Sequence, residues 1–314
     1  MSESNLNILV GCDPEIALRN PNSKKFVSAE GILPGDKLNP HKVNKGTIQV
    51  DGFAAEIGID PARSAEEFSD NVETVLEELK KFTTGYDLVY TDHVIFDEDV
   101  FLNQSDKGRE LGCEPDYSAY TGVANNPPVP NPPTLRTMSG HIHIGWGKDM
   151  DIADPGHFAD CIAVTKQMDW FLGVPGLIWN PGTVRRKLYG KAGAFRVKSY
   201  GVEYRTPDNS WLRSRDRMKM MFDNAVLGMN RLYAGEHLYE KVNAQGFIDR
   251  ATRHQDVRYW LEANKIPFID DGIAAEKPKR VRKKKVVDKI APGLEAGFAV
   301  MDIVDQGQNI GDAA

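Results

Sequence analysis

The segment SGHIHIG at residues 139–145 gives the clearest indication of the fold. His141 and His143 are two positions apart, and Ile142 and Ile144 alternate with them. Because successive side chains of a β-strand point to opposite faces of the sheet, this pattern places both imidazoles on one face and both isoleucines on the other. The segment therefore predicts a strand with one ionisable and one apolar face, as antiparallel sheets commonly have.

The segment YGVEYRTP at residues 200–207 has the same period. Glu203 and Arg205 share one predicted face, while Val202 and Tyr204 share the other. If this strand lies beside the histidine strand, a carboxylate, a guanidinium and two imidazoles converge on one side of the sheet.

GCDPE at residues 11–15 adds Asp13 and Glu15 at the same spacing of two. Proline has no backbone donor and suits only an edge strand or a bulge, so Pro14 weakens the inference that the two carboxylates share a face.

VDGFAAEIG at residues 50–58 contributes Asp51 and Glu56. Their spacing of five puts them on opposite faces of a regular strand, unless a bulge at Gly52 reconciles them. Glu56 is the stronger candidate for a site, because Asp51 beside Gly52 can be explained by the closure of a turn.

Each pair alone is most simply explained as the solvent face of an amphipathic strand. Together they predict a metal site, since several carboxylates are buried together only at a high cost unless a cation neutralises them. Oxygen ligands with one or two imidazoles favour Mg²⁺ or Mn²⁺ over structural zinc. The predicted metal ligands are Asp13, Glu15, Glu56, His141 and Glu203.

A basic segment, RRKLYGKAGAFR at residues 185–196, predicts a phosphate site. Small residues would let a phosphate approach the backbone, and arginine and lysine together suit a triphosphate. The segment matches neither a P-loop nor a dinucleotide-binding pattern. Taken alone, it is more simply explained as a basic turn on the surface. The predicted phosphate-binding residues are Arg185, Arg186, Lys191 and Arg196.

Several helices are expected beside these strands. Ser64 and Glu67 have the form of a capping box before an apolar stripe that begins at Phe68, and residues 157–172 and 215–234 also have a helical pattern. The methionine-rich second segment is interpreted as core packing. The five prolines of residues 124–133 predict a surface loop.

Composition bounds the class of protein. The 314 residues are 41% hydrophobic and 27% charged, as in folded globular proteins, and no apolar run approaches the roughly 20 residues of a membrane span. The amino terminus lacks the pattern of a signal peptide, which predicts a cytoplasmic protein with reduced thiols.

Charge is unevenly distributed. Residues 277–289 hold eight basic residues and one acid, so the rest of the chain has a net charge of −13 within a total of −6. We expect a domain at residues 1–270 and an interaction arm or flexible tail at 271–314. The acidic body is not expected to bind nucleic acid, because phosphate needs a basic face, and only the basic run 277–289 suits such a partner.

The ordered motifs resemble those of the glutamine-synthetase-like carboxylate–amine ligases, specifically the phage-associated type 2 COOH-NH2 ligases. The resemblance spans about residues 8 to 212 and is much more specific than any single motif. The motifs are GCDPE at 11–15, FVSAEGILPGDK at 26–37, VDGFAAEIGIDPA at 50–62, SGHIHIG at 139–145, RRKLYGKAGAFR at 185–196 and YGVEYRTP at 200–207.

The resemblance implies an α+β fold in which a curved antiparallel sheet carries the site and helices cover its back. It also implies ATP and divalent cations as cofactors, Arg205 near the transferred phosphoryl group and His143 near the acceptor substrate. A carboxylate and an amine, from an amino acid, a small peptide or a cell-wall-like peptide, would be joined through an acyl phosphate. Glutamine synthetases carry Glu-x-Glu and a separate amino-terminal domain, whereas this chain has Asp-Pro-Glu at 13–15, so ring assembly and the ammonia site do not carry over.

Two other functions stay open at this point. H-x-H with scattered acids also builds metal-dependent hydrolases, and a phage virion or scaffold protein could retain an inactive ligase fold. The sequence also leaves a homo-oligomer open.

Overall fold

The computed structural model describes residues 7–109, 116–250 and 252–272, without the side chain of Lys107. The strands are β1 Leu9–Cys12, β2 Glu15–Arg19, β3 Phe26–Val27, β4 His41–Val43, β5 Gly46–Asp51, β6 Ala54–Ile59, β7 Asp87–Val89, β8 His93–Ile95, β9 Tyr117–Ser118, β10 Leu135–Thr137, β11 Ile142–Gly145, β12 Ala194–Lys198 and β13 Gly201–Tyr204. The α-helices are α1 Ala65–Phe82, α2 Glu98–Leu102, α3 Asp106–Arg109, α4 Pro155–Met168, α5 Val174–Trp179, α6 Val184–Leu188, α7 Arg215–Tyr233, α8 Leu238–Lys241, α9 Gln245–Ile248 and α10 His254–Ala263. A π-helix at Asp169–Gly173 joins α4 to α5, and a 3₁₀-helix covers Asn209–Arg213.

Two antiparallel sheets form the framework. The first has the order β1-β11-β13-β12-β9, and the second has the order β3-β2-β6-β5-β4, with β7 also paired to β2. A smaller sheet pairs β8 with β10. One sheet is strongly curled, as a half-barrel. The predicted α+β fold with a curved antiparallel sheet is therefore confirmed.

The apolar face of the first sheet lies in the core. Ile142, Ile144, Val202 and Tyr204 are fully buried, and α4 packs against β12 and β13 on this side. The period-two pattern of residues 139–145 and 200–207 therefore predicted the faces of both strands correctly.

Helix α1 begins as its capping pattern predicted. The Ser64 hydroxyl accepts a hydrogen bond from the Glu67 N–H, and the Glu67 carboxylate accepts one from the Arg63 N–H. The buried stripe that starts at Phe68 packs against α7, whose methionines Met218, Met220, Met221 and Met229 are buried as expected. Residues 125–133 form neither helix nor strand, which confirms the predicted loop.

The carboxyl end of the described chain is fixed to the body. The guanidinium of Arg217, a residue of α7 with no exposed surface, forms an ion pair with Asp271 and lies over the ring of Trp179. The Trp179 indole N–H donates to the carbonyl of Ile269. The basic run 277–289 and most of the predicted tail lie outside the described residues, and so does Cys113, whereas Cys12 and Cys161 are free thiols. Among the described residues, no helix combines the length and apolarity needed to cross a bilayer.

Candidate functional site

Strand register builds one end of the site. β11 pairs with β1 and with β13, and β13 pairs with β12, so that Gly11, His143, Glu203 and Arg196 lie side by side across the first sheet. The chain leaves β1 at Cys12, which brings Asp13 to the same face beside the two histidines. The predicted convergence of Glu203 with His141 and His143 is thus a consequence of register.

We call Asp13, His141, His143 and Glu203 the histidine cluster. His143 Nε2 lies 3.1 Å from Asp13 Oδ2, and His141 Nδ1 lies 3.2 Å from Asp13 Oδ1 and 3.5 Å from Glu203 Oε1. Burial and the Arg205 charge lower the pKa of His141 to about 4, which keeps its imidazole neutral. Burial opposes protonation of His143, but the Asp13 carboxylate prevails and raises its pKa.

Glu203 is surrounded by basic side chains although its side chain is only 1% exposed. Arg205 Nη1 donates to Oε1, Arg196 Nη1 lies 3.5 Å from the same oxygen, and Lys198 Nζ lies 2.8 Å from Oε2. Burial alone would raise the pKa of this carboxyl group, but the Arg205 guanidinium outweighs it and holds the pKa well below its usual range. Glu203 is therefore ionised throughout the neutral range.

A second group, the acidic cluster, consists of Glu15, Asp51 and Glu56. Glu15 on β2 lies opposite Glu56 on β6, and the Glu15 carboxylate accepts a hydrogen bond from the Ser139 N–H at 2.8 Å. Burial and repulsion from Asp51 raise the pKa of Glu15 to about 7 and raise that of Glu56 as well. Lys37 Nζ lies 3.7 Å from Asp51 Oδ2 of this cluster.

The acidic cluster corrects two expectations about strand geometry. Asp13 and Glu15 do not share one strand, because the chain passes from the first sheet to the second at Pro14. Asp51 and Glu56 are not on one strand either: β5 and β6 form a hairpin that turns at Gly52, whose φ of +57° suits glycine. In this hairpin both carboxylates reach the same face, so Asp51 offers a ligand atom beside Glu56, and the preference for Glu56 as a metal ligand stays a prediction.

Both clusters have the chemistry of divalent-cation sites. Asp13, His143 and Glu203 each offer a ligand atom, as do Glu15, Asp51 and Glu56, with all atoms of a group within 4.8 Å of one another. In the first group Asp13 Oδ1, His143 Nε2 and Glu203 Oε2 are buried, and they have polar neighbours but no hydrogen bond of regular geometry. In the second, three carboxylates repel each other. Carboxylate oxygens with at most one imidazole fit Mg²⁺ or Mn²⁺.

The basic segment is arranged differently from the expectation. Arg185 donates to the carbonyls of Arg205 and Thr206, and Arg186 donates to those of Asn180 and Gly182. These arginines hold backbone in place, which gives them a structural role, and their binding of phosphate stays a prediction. Arg196 reaches the histidine cluster, whereas the Lys191 residue is exposed.

The small residues of that segment also have protein partners. The Ala192 N–H donates to Asp249 at 2.8 Å, and the Gly193 N–H donates to Asp169 at 3.1 Å. Because carboxylates already accept from these amides, the expectation that a phosphate approaches the backbone at this point is not supported.

Asp169 lies behind the first sheet, on the π-helix. Its carboxylate accepts hydrogen bonds from the hydroxyls of Tyr120 at 2.8 Å, Tyr204 at 2.7 Å and Thr206 at 3.4 Å, in addition to the Gly193 N–H. Tyr204 and Thr206 flank Arg205, so this buried carboxylate fixes the backbone on both sides of the predicted catalytic arginine. Burial raises the pKa of Asp169 to about 7 despite these donors.

Sequence reasoning missed three other polar residues of the site. Lys198 follows Arg196 on the same face of β12, a spacing of two that the sequence does contain. Tyr200 hydrogen-bonds His143 Nδ1 through its hydroxyl, and Asp116 Oδ2 lies 3.3 Å from Arg205 Nε. Neither Tyr200 nor Asp116 has a sequence signal, because tertiary packing alone brings them to the cluster.

Comparison with known proteins supports the resemblance over part of the chain. Residues 137–255 match a family model described as "Phage phiEco32-like COOH.NH2 ligase-type 2". This match confirms the predicted resemblance for residues 137–255, which include both histidines, the basic segment, Glu203 and Arg205. The matched residues are fewer than half of the chain. Asp13, Glu15 and Glu56 precede the matched segment.

Among solved structures, one titled "Crystal structure of novel glutamine synthase homolog" is similar to this chain at 12% identity and a TM-score of 0.34, covering 84% of this chain and 69% of that one. No curated protein matches the sequence.

Proposed function

We propose that this protein is a carboxylate–amine ligase that uses ATP and Mg²⁺ or Mn²⁺ to form an amide bond. One observation supports this function above all: three neighbouring strands bring Asp13, His143 and Glu203 together beside a second carboxylate group, within and next to the segment that matches the ligase family.

The two clusters are the proposed cation sites. Glu15, Asp51 and Glu56 would hold one dication, and Asp13, His143 and Glu203 would hold another. Bound dications would neutralise the triphosphate and screen its repulsion of a substrate carboxylate. In this assignment His143 is a ligand, and the neutral imidazole of His141 orients Asp13 through the 3.2 Å contact.

Basic residues on the same face of the sheet are proposed to bind the phosphates of ATP. Arg196, Arg205 and Lys198 all contact Glu203, so a triphosphate over the histidine cluster would meet two guanidinium groups and an ammonium. Positioning and charge neutralisation contribute most of the catalysis in phosphoryl transfer, and these are what rigid, buried arginines supply. Lys191, the exposed member of the basic segment, is proposed for the more distant phosphates.

The proposed reaction has two steps. A carboxylate oxygen of the first substrate forms a bond to the γ-phosphorus, and the bond from that phosphorus to the β-bridging oxygen breaks, so that ADP leaves with the electron pair. The amine nitrogen of the second substrate then bonds to the acyl carbon, the carbon–oxygen bond to phosphate breaks, and the nitrogen gives up a proton to a general base. In this proposal the Arg205 guanidinium balances the charge of the transferred group.

The test is a substrate screen with the full-length protein. Purified protein is incubated with ATP, Mg²⁺ and pairs drawn from amino acids and small peptides, and new amides are detected by mass spectrometry together with ADP. We expect ADP release that requires both a carboxylate and an amine. Glu203→Gln should reduce it at least 100-fold, while Glu236→Gln, a substitution at an exposed ion pair with Arg231, should leave it unchanged.

Two results would contradict the proposal. Hydrolysis of a substrate in Mg²⁺ without any need for ATP would indicate a metal-dependent hydrolase. Absence of any amide product across the screen, with folded protein that binds neither Mn²⁺ nor nucleotide, would indicate a ligase fold without ligase activity.

A further inference from the structure

We propose that Lys198 is an exchangeable cation: its ammonium group holds the place of a dication on Glu203, is displaced when metal binds, and then binds an oxyanion of the substrate. The inference rests on the proposed function, because it assumes that the histidine cluster takes a metal. It deepens the role of Lys198, which the proposed function places only among the basic side chains that contact Glu203.

The two oxygens of Glu203 are bound differently. Oε1 accepts a hydrogen bond from Arg205 and lies near Arg196 and His141. Oε2 has Lys198 Nζ at 2.8 Å, close enough for an ion pair, yet it accepts no hydrogen bond of regular geometry from the described residues. Thus Oε1 is fixed by a rigid guanidinium, and Oε2 is held by charge alone.

We assign Oε2 to the candidate metal position, because it is the Glu203 oxygen without a regular hydrogen bond. Together with Asp13 Oδ1 and His143 Nε2, it is one of three buried atoms in the histidine cluster that lack a hydrogen bond. Because an ammonium and a dication repel each other strongly at contact distance, they cannot share this oxygen in a partly buried site. One must leave when the other binds.

The Lys198 ammonium is better suited than an arginine to leave Glu203 when metal binds. The ammonium is a point charge on four flexible methylene groups, whereas the guanidinium of arginine is fixed by its fork of donors. The side chain of Lys198 is 31% exposed and that of Glu203 is 1% exposed, so the lysine reaches the carboxylate from the solvent side and can withdraw to that side. Arg196 and Arg205, with 11% and 5% exposure, lie deeper.

The displaced ammonium would remain at the mouth of the histidine cluster. Lys198 is on β12 directly beside the turn that carries Tyr200, and its charge already affects His143. Both proposed substrates that meet at this point bring anionic oxygens: the nucleotide brings phosphate and the first substrate brings a carboxylate. Metal binding would therefore prepare a binding group for the oxyanion.

Chemical labelling of lysine tests the exchange directly. Full-length protein is treated briefly with an amine-acetylating reagent, with and without Mg²⁺, and labelling of each lysine is measured by mass spectrometry. We expect Mg²⁺ to increase the labelling rate of Lys198 at least threefold. Lys148, which is 90% exposed, should not change. In Glu203→Gln, where the ion pair is removed, labelling of Lys198 should be high with or without Mg²⁺.

Binding of Mn²⁺, followed by calorimetry, separates failure of this inference from failure of the proposed function. Lys198→Met should bind Mn²⁺ at least fivefold more tightly than the unmodified protein, and Lys198→Arg should not. If Mn²⁺ binds but Lys198 labelling does not rise, the exchange is wrong and the metal site stands. If Mn²⁺ does not bind at all, the metal dependence in the proposed function is wrong.

Two anions test whether the displaced Lys198 binds an oxyanion. Inorganic phosphate or acetate is added to the Mg²⁺-loaded protein, and labelling of Lys198 is measured again. Renewed protection by phosphate assigns the lysine to the nucleotide, and protection by acetate assigns it to the carboxylate substrate. Full labelling in saturating amounts of both anions would overturn an oxyanion role for Lys198.

Discussion

Asp169→Asn should remove a pH dependence of folding stability that the buried carboxylate imposes. Asp169 is completely buried, and no basic side chain is among its hydrogen-bond donors, which are Tyr120, Tyr204, Thr206 and the Gly193 N–H. Burial raises its pKa from the ordinary value of 3.8 to about 7. The folded protein therefore keeps a proton on this group at pH 6 that the unfolded chain has already lost.

The sign and size follow from linkage. Because the folded state binds more protons, raising the pH through 7 costs folding free energy. With a pKa of about 7 in the folded state, the carboxyl group is about 10% ionised at pH 6 and about 90% ionised at pH 8 in the folded protein, and it is fully ionised at both values in the unfolded chain. Stability should fall by about 1.4 kcal/mol between these pH values from this group alone, which corresponds to roughly 3 to 6 °C in Tm.

The assay is urea and thermal denaturation of three proteins at pH 6 and pH 8. An asparagine can still accept hydrogen bonds from Tyr204 and the Gly193 N–H, and its amide can donate to Tyr120, so the variant should fold. Its stability should change with pH by about 1.4 kcal/mol less than that of the unmodified protein. Asp160→Asn, at an exposed position of α4, should behave like the unmodified protein. Equal pH dependence in all three proteins would refute the reasoning.

Other substitutions test the remaining features. Asp51→Asn should raise Tm without metal, because it removes a charge that repels two glutamates, and should lower Mg²⁺ affinity at least tenfold in calorimetry; unchanged affinity would exclude it from the cation site. His141→Ala should reduce Mg²⁺-dependent turnover far more than thermal stability, and equal losses would argue for a packing role. Asp271→Ala should lower the free energy of unfolding by about 3 to 5 kcal/mol, because it removes the carboxylate that forms an ion pair with the buried Arg217 guanidinium. Asp270→Ala at an exposed ion pair should cost less than about 1 kcal/mol, and similar urea midpoints for the two variants would contradict this.

The sequence predicted the parts of the fold that depend on short-range periodicity. Alternation in residues 139–145 and 200–207 specifies which side chains share a face, and a register between neighbouring strands then brings His143 to Glu203. The cap and stripe of α1 are equally local. These features could be read directly because each depends on side-chain geometry within about ten residues.

The predictions that the structure corrected depend on two features: where the chain changes direction, and which residues far away in the sequence a side chain contacts. The Asp51-Gly52 dipeptide is a hairpin signal that could have indicated two strands in place of one. The passage between sheets at Pro14, by contrast, is visible only once both sheets exist. Arg185 and Arg186 have the charge of phosphate ligands, but the carbonyls that they bind in the folded chain could not be inferred from composition.

The passage at Pro14 has a consequence for any pair of ions held by this protein. Asp13 and Glu15 belong to different clusters, yet two peptide units join them, so their α-carbons are at most roughly 7 Å apart. This short covalent link would therefore limit how far apart two dications bound at these clusters could lie. An insertion of a single residue beside Pro14 would lengthen the link between Asp13 and Glu15, although every candidate ligand would still be present.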